Sequence, residues 1–335
     1  MNRFIILFLF PTVLFAQTAT KPRRVWFDTD IMIGLPERAP REVDDGVTLI
    51  MALRQTDKIE LVGISTVTYV DYGYDVTQKI LGWYNRDASG KPRNPIPVYK
   101  GSQSGANTGV ETDASIALAN ALKKEKLAIL ALGPVTNVAT VVKNHPELAS
   151  QIEEVIVCAG RTPGFPFRPG LEKVTVGDYN FERDTLAFRT LFEAGVPVVL
   201  SGFECSSYLL LGKTDIDFLE KSTSEGDKWL YAQLRPWQER AKSLFGVEGF
   251  IPYDVTPLGY LTHPDYFKYY RDIPVRINIR PNDSTIGATA TRREKPFLDV
   301  STEYKDTKWR AIYAYKTLPG FEEIVIESLK GTGRP

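Results

Sequence analysis

Short apolar runs alternate along this chain with stretches whose apolar residues recur at helical spacing. That alternation restricts the fold more than any other feature. The run 24–28 (RVWFD) is followed by 45–54, where Val47, Leu49, Ile50 and Leu53 mark one helical face. The same rhythm predicts strands over 58–67 (KIELVGISTV), 96–99, 127–132 (LAILAL), 155–159 (VIVCA) and 196–201 (VPVVLS). Between them it predicts helices over 75–84, 115–122, 136–144 and 184–194. Such alternation builds a mostly parallel central sheet flanked by helices, an α/β fold. After Ser206 the character changes to a long helix over 227–244 carrying Trp229, Tyr231, Trp237 and Leu244. Strand and turn signals then dominate 275–301, and a short helix over 320–329 ends the pattern. No repeat, low-complexity tract or clear linker interrupts the chain. Residues 24–335 therefore read as a single domain, preceded by a short segment over 17–23.

The first sixteen residues, MNRFIILFLFPTVLFA, read as a signal peptide rather than as part of the fold. Arg3 supplies the positive start, 5–10 the apolar run, and Ala16 a small residue before the cut. Export to the periplasm or secretion is the expectation. The apolar stretch is short for a membrane span, and no later stretch approaches the necessary length. Export permits a disulfide. Cys158 and Cys205 either pair or serve as two buried thiols.

Charge and histidine content narrow the chemistry. Lysine plus arginine number 41 and aspartate plus glutamate number 41, so no global field draws the chain to nucleic acid or an anionic membrane. With 2 histidines, a His-rich zinc site cannot be built. A Ser-His-Asp triad would need His145 or His263, and each precedes a proline at a helix end, where a surface or capping role fits. Carboxylates are left to carry the chemistry. They collect where strands end: Asp28 and Asp30 after the first, Asp44 and Asp45 opening the first helix, Asp178 in VTVGDYN, Asp254 in PYDVTP. Ligands of open α/β sheets sit beyond those ends. Acids that converge there repel one another, and an all-oxygen set suits a hard cation, calcium or magnesium. Alone, Asp44-Asp45 also reads as a capping pair at a helix N-terminus, and Asp28-Thr29-Asp30 as a turn.

These segments carry a resemblance. VWFDTD followed by VDDGVTLIMAL resembles the opening strand, aspartate cluster and helix of the inosine-uridine preferring nucleoside hydrolases. In order, KIELVGISTV, LAILALGPVTNVATVVKNHPEL, EEVIVCAG, GDYNFERDTLAF and YDVTPLGYLTHPDYF resemble later segments of that family. The resemblance runs from about residue 24 to 267 and is weaker beyond 272. It implies calcium-dependent hydrolysis of the N-glycosidic bond of a nucleoside or other ribosyl substrate, giving ribose and free base. It implies Asp30, Asp45, Asp254 and the Leu132 carbonyl as calcium ligands, with Asp30 also the general base. It places Asp44, Asp178 and Asn180 on the ribose, puts Asp28 behind the metal loop, and suggests homo-oligomers.

Three departures from the family pattern stand out. About ten extra residues lie between Asp30 and Asp44, in the segment 31–43 (IMIGLPERAPREV), which either covers the pocket or is a solvated insertion. Tyr253 stands where the family keeps a histidine beside the last calcium ligand, and reads as a leaving-group acid or a stacking residue. The asparagine expected after the second strand has no counterpart in TYVDYGY. An aromatic pocket edge is expected from Tyr69, Tyr72, Phe165, Phe167, Tyr231, Trp237 and Tyr253, against core packing for those on the long helix. Two other functions compete: a ribosyl-binding protein that keeps the metal site without catalysis, and a phosphohydrolase of the haloacid dehalogenase type.

Overall fold

The apolar runs pair into one nine-stranded sheet. In the computed structural model, which describes residues 21–36, 39–287 and 289–331, the expected signal peptide over 1–16 lies outside the described residues. The first half runs β1 (Arg23–Thr29), α1 (Asp44–Arg54), β2 (Ile59–Thr66), α2 (Val70–Tyr84), β3 (Val98–Lys100), α3 (Asp113–Leu122), β4 (Leu127–Ala131), α4 (Thr136–Asn144) and β5 (Ile152–Val157). Then come α5 (Tyr179–Arg183), α6 (Thr185–Glu193), β6 (Val198–Ser201), α7 (Phe203–Ser206), β7 (Leu211–Gly212), α8 (Lys213–Glu220) and α9 (Glu225–Phe245). The chain closes with β8 (Gly249–Phe250), α10 (Val255–Thr262), β9 (Phe267–Pro281), β10 (Glu294–Val300), β11 (Arg310–Thr317) and α11 (Phe321–Lys330).

The sheet order is β10-β9-β11-β6-β5-β4-β1-β2-β3. From β3 to β11 every neighbouring pair is parallel, and β9 and β10 add an antiparallel extension at the β11 edge. The central strands are buried on both faces. On β1, Val25 and Phe27 join one core with α1, α2, α9, α10 and α11, while Trp26 joins the other with α3, α4 and α6. Parallel strands buried this way are what continuous apolar runs produce.

One topological feature positions the site. β1 pairs with β2 on one side and β4 on the other, so successive connections leave it in opposite directions. The carboxyl ends of β1 and β4 therefore flank the switch point, which is where ligands of such sheets bind.

Some boundaries differ from the sequence expectation. α2 begins at Val70, five residues before the expected start, because Thr68 adopts the left-handed φ of 64° and ends the strand abruptly. Tyr72 therefore lies on a helix, not in a loop. β5 runs from Ile152, since Ile152 pairs with Leu127, and it stops at Val157. Cys158 and Cys205 are free thiols, so the paired alternative is not formed. No helix among the described residues is long and apolar enough to cross a membrane.

Candidate active site

The loop after β1 and the start of α1 supply the acids. Asp44 and Asp45 occupy the first turn of α1, where the helix dipole favours negative charge. Asp254 stands just before α10. Carboxylate oxygens of Asp44, Asp45 and Asp254 lie within 4.8 Å of one another, and all three residues are buried. Asp30 is buried beside them, and its backbone N–H supports the Asp45 carboxylate. Thr29 donates its hydroxyl to Asp45, and the backbone N–H of Asp254 supports Asp44. Behind this layer, Asp28 accepts from Ser65 and, at 2.8 Å, from Asn137 Nδ2, whose Oδ1 in turn takes the Ser102 N–H at 2.9 Å.

Burial without a counter-charge governs the electrostatics. Burial, then Asp45 and Asp44, pushes Asp30 well above the usual carboxylate range. Burial and its acidic neighbours do the same to Asp44 and Asp254. Burial raises Asp45 to about 6 even though Thr29 opposes the shift. None of the ion pairs among the described residues includes these four acids. Buried like charges are stabilised by protons or by a cation. The donor set is entirely oxygen, so the residues present fit a hard dication.

The residues expected to contact ribose come from the chain between β5 and α6. Asp178 caps α5, with Oδ2 accepting the Gly160 N–H at 2.8 Å, and burial raises its carboxyl to about 6. Asn180 donates both amide hydrogens inward, to Leu132 O at 2.7 Å and Cys158 O at 3.0 Å. It thereby ties the ends of β4 and β5 together and keeps Oδ1 for another partner. Gly133, next to Leu132, allows the closest approach in the site. A Cβ there would lie 2.9 Å from Asp30 Cβ and 2.8 Å from Val67.

An aromatic wall adjoins Asp254. Tyr253 packs against Phe203 with centroids 5.5 Å apart, and Phe203 stacks on Phe167 at 4.5 Å and leans on Phe165 at 6.4 Å. Burial, then Glu42 and Asp44, raises the Tyr253 hydroxyl well above its usual 10. It therefore stays protonated. Phe203 escaped the sequence reading because GFEC follows β6 without any motif. Other aromatics expected at this edge serve the scaffold. Tyr72 OH donates to Ile33 O at 2.7 Å, Trp237 is buried within the core, and Tyr231 engages Glu220. Tyr69 precedes α2.

The segment 31–43 is anchored at both ends. Ile31, Ile33 and Val43 are buried in the core, and Gly46 gives Ile33 room to lie against α1. Glu42, exposed at the mouth, faces the acid cluster electrostatically.

A profile described as inosine-uridine preferring nucleoside hydrolase matches residues 25–315. A probable uridine nucleosidase of Oryza sativa subsp. japonica is 24% identical over 261 residues, covering 69% of this chain and 77% of the relative. Among solved structures, a purine-preferring ribonucleoside hydrolase from Gardnerella vaginalis superposes with a TM-score of 0.68 at 18% identity, over 92% of this chain and 99% of that one. An inosine-uridine preferring nucleoside hydrolase from Bacillus anthracis superposes with a TM-score of 0.62 at 17% identity, with the same coverage of both chains. The profile spans most of the chain and removes the phosphohydrolase reading. The chain belongs to the inosine-uridine preferring nucleoside hydrolase family, hydrolases of the nucleoside N-glycosyl bond.

Proposed function

We propose that this protein is an exported, calcium-dependent ribosyl hydrolase that releases ribose from a nucleoside or related N-riboside. The observation that carries the reading is the buried trio Asp44, Asp45 and Asp254 at the sheet's switch point, with Asp30 beside it and, among the described residues, no cationic side chain paired to it. Asp30, Asp45, Asp254 and the Leu132 carbonyl would hold the ion. Bound there, it would neutralise the acids and lower the pKa of a water.

This chain's own residues do the rest. Asp30 takes the proton of the attacking water. Asp44, Asp178 and the free Oδ1 of Asn180 hold ribose hydroxyls, and the surrounding carboxylates favour positive charge developing on the sugar. Tyr253 donates a hydrogen bond to the departing base while the Phe203 side of the wall excludes water. The relatives include a probable uridine nucleosidase and a purine-preferring hydrolase, so base choice in this chain rests on its own wall and on segment 31–43.

A second reading has one observation in its favour. A tyrosine hydroxyl held well above 10 is a poor proton donor, which suits a ribosyl-binding protein without turnover. Incubation with p-nitrophenyl β-D-riboside, inosine and uridine, with calcium or with chelator, separates the two. Calcium-dependent release of ribose supports hydrolysis. Ribose binding without release in every case supports the binding protein.

A further inference from the structure

A ring of largely buried charges, centred on Lys295, lies behind Asp178. Lys295 of β10 is 1% exposed. Its Nζ lies 2.8 Å from Glu182 Oε1 and 2.8 Å from Asp283 Oδ1, and donates to Ser284 Oγ at 2.6 Å. Glu182 Oε1 accepts the backbone N–H of Asp178 at 3.0 Å. Asp178 Oδ2 accepts the N–H of Gly160, and the next residue, Arg161, reaches Asp283 Oδ2 at 2.7 Å. The circuit closes on Lys295. Arg161 is also buried, its guanidinium 3.8 Å from the centre of the Phe167 ring.

Packing alone does not call for this arrangement. A methionine would fill much of the space of Lys295 without taking a charge out of water, and buried ion pairs are weak sources of stability. The direction of the bonds indicates what the ring does. Lys295 holds Glu182, and Glu182 holds the main chain of Asp178, so the Asp178 carboxylate keeps one orientation. The segment before it is clamped as well, since the Thr175 N–H donates to Thr285 Oγ1 at 2.9 Å and the Thr285 N–H returns to Thr175 O at 3.0 Å. Gly177 permits the fit, because a Cβ there would lie 2.7 Å from the Glu182 carboxylate.

We propose that Lys295 is a positioning residue for the sugar, acting through Glu182 on Asp178. The proposal rests on the reading of Asp178 as a ribose contact. Lys295 touches neither sugar nor ion, because Glu182, Asp283 and Ser284 occupy its ammonium group.

The test compares the full chain with Lys295→Met, Glu182→Met and the pair Lys295→Met Glu182→Gln. Readouts are D-ribose affinity by calorimetry, calcium affinity, and KM and kcat on p-nitrophenyl β-D-riboside. Lys295→Met should raise the ribose Kd and KM about tenfold with calcium affinity within about twofold. Glutamine stays buried without a cation and still offers an oxygen to the Asp178 N–H. Adding Glu182→Gln should therefore bring the ribose Kd back to within about threefold of the parent. If Lys295→Met does not fold, the same comparison is made between Glu182→Met and the pair. Unchanged ribose affinity, calcium affinity falling in step with it, or no recovery with glutamine overturns the proposal. A parent that binds ribose without cleaving the riboside defeats the hydrolase reading alone, while a parent that binds no ribose defeats both.

Discussion

Asp30 has the most constrained position of any residue in the site. It is buried among acids, its backbone supports Asp45, and its side chain presses against Gly133. Asp30→Asn should lower kcat by about a hundred- to ten-thousand-fold, as removal of a general base does. Steady-state kinetics at saturating calcium measures it, and a parental rate would remove Asp30 from the mechanism. Gly133→Ala should act by a different route, because the added methyl must displace Asp30 or Val67. Its activity should fall while the Asp30 carboxylate remains chemically intact. Tyr253→Phe keeps the stack on Phe203 and loses only the hydroxyl. Loss of one hydrogen bond should cost about tenfold in kcat/KM on inosine or uridine and almost nothing on the p-nitrophenyl riboside, whose leaving group needs no help. Equal losses on both would assign the hydroxyl to sugar binding instead. At this scale the sequence was most informative where residue type and position in a motif coincide, as for Asp44, Asp45 and Asp254. It was least informative for Phe203 and Lys295, whose neighbours come from distant strands.

The first loop and α2 show how an element depends on its surroundings. Read alone, 31–43 is equally a lid or a surface excursion. In the fold its first residues enter the core, with Ile33 fully buried against α1 and its carbonyl bound by Tyr72 from α2. Ile33→Ala should destabilise the protein by about 2–4 kcal/mol in urea titration, the usual cost of an unfilled core position. A change below about 0.5 kcal/mol, typical of a surface site, would return the segment to a solvated insertion. Shortening 36–40, away from those anchors, should alter the substrate panel more than calcium affinity. The early start of α2 has a similar origin. The sequence pattern places the helix start at 75, but a left-handed Thr68 turns the chain and lets Val70 begin the helix.

For the whole molecule, the acid cluster links stability to pH and, in the proposed function, to calcium. Asp28, Asp45 and Asp178 stand at about 6 in the fold against an ordinary 3.8. The folded state therefore binds protons more tightly than the unfolded chain. Stability from these groups is fully present below about pH 4 and is lost as pH rises through about 6. A cation competes with those protons, so the stabilisation produced by calcium over chelator should grow from pH 4.5 to pH 7, to about 2–3 kcal/mol at hundredfold excess over Kd. Thermal melts at both pH values measure it. An increment that is flat or shrinks with pH would argue against binding at these carboxylates.

The sequence by itself determined the layered α/β architecture, because unbroken apolar runs and 3.6-residue periodicity are local properties of the chain. It also located most of the acids, because acids at strand ends lie where such sheets bind ligands. Only the tertiary structure decided which of them converge, that Asn180 ties β4 to β5, and that Lys295 reaches Glu182 across 113 positions of sequence. Those contacts are set by strand order and register. Pairing β1 with both β2 and β4 is a long-range choice, and no local pattern of residues encodes it.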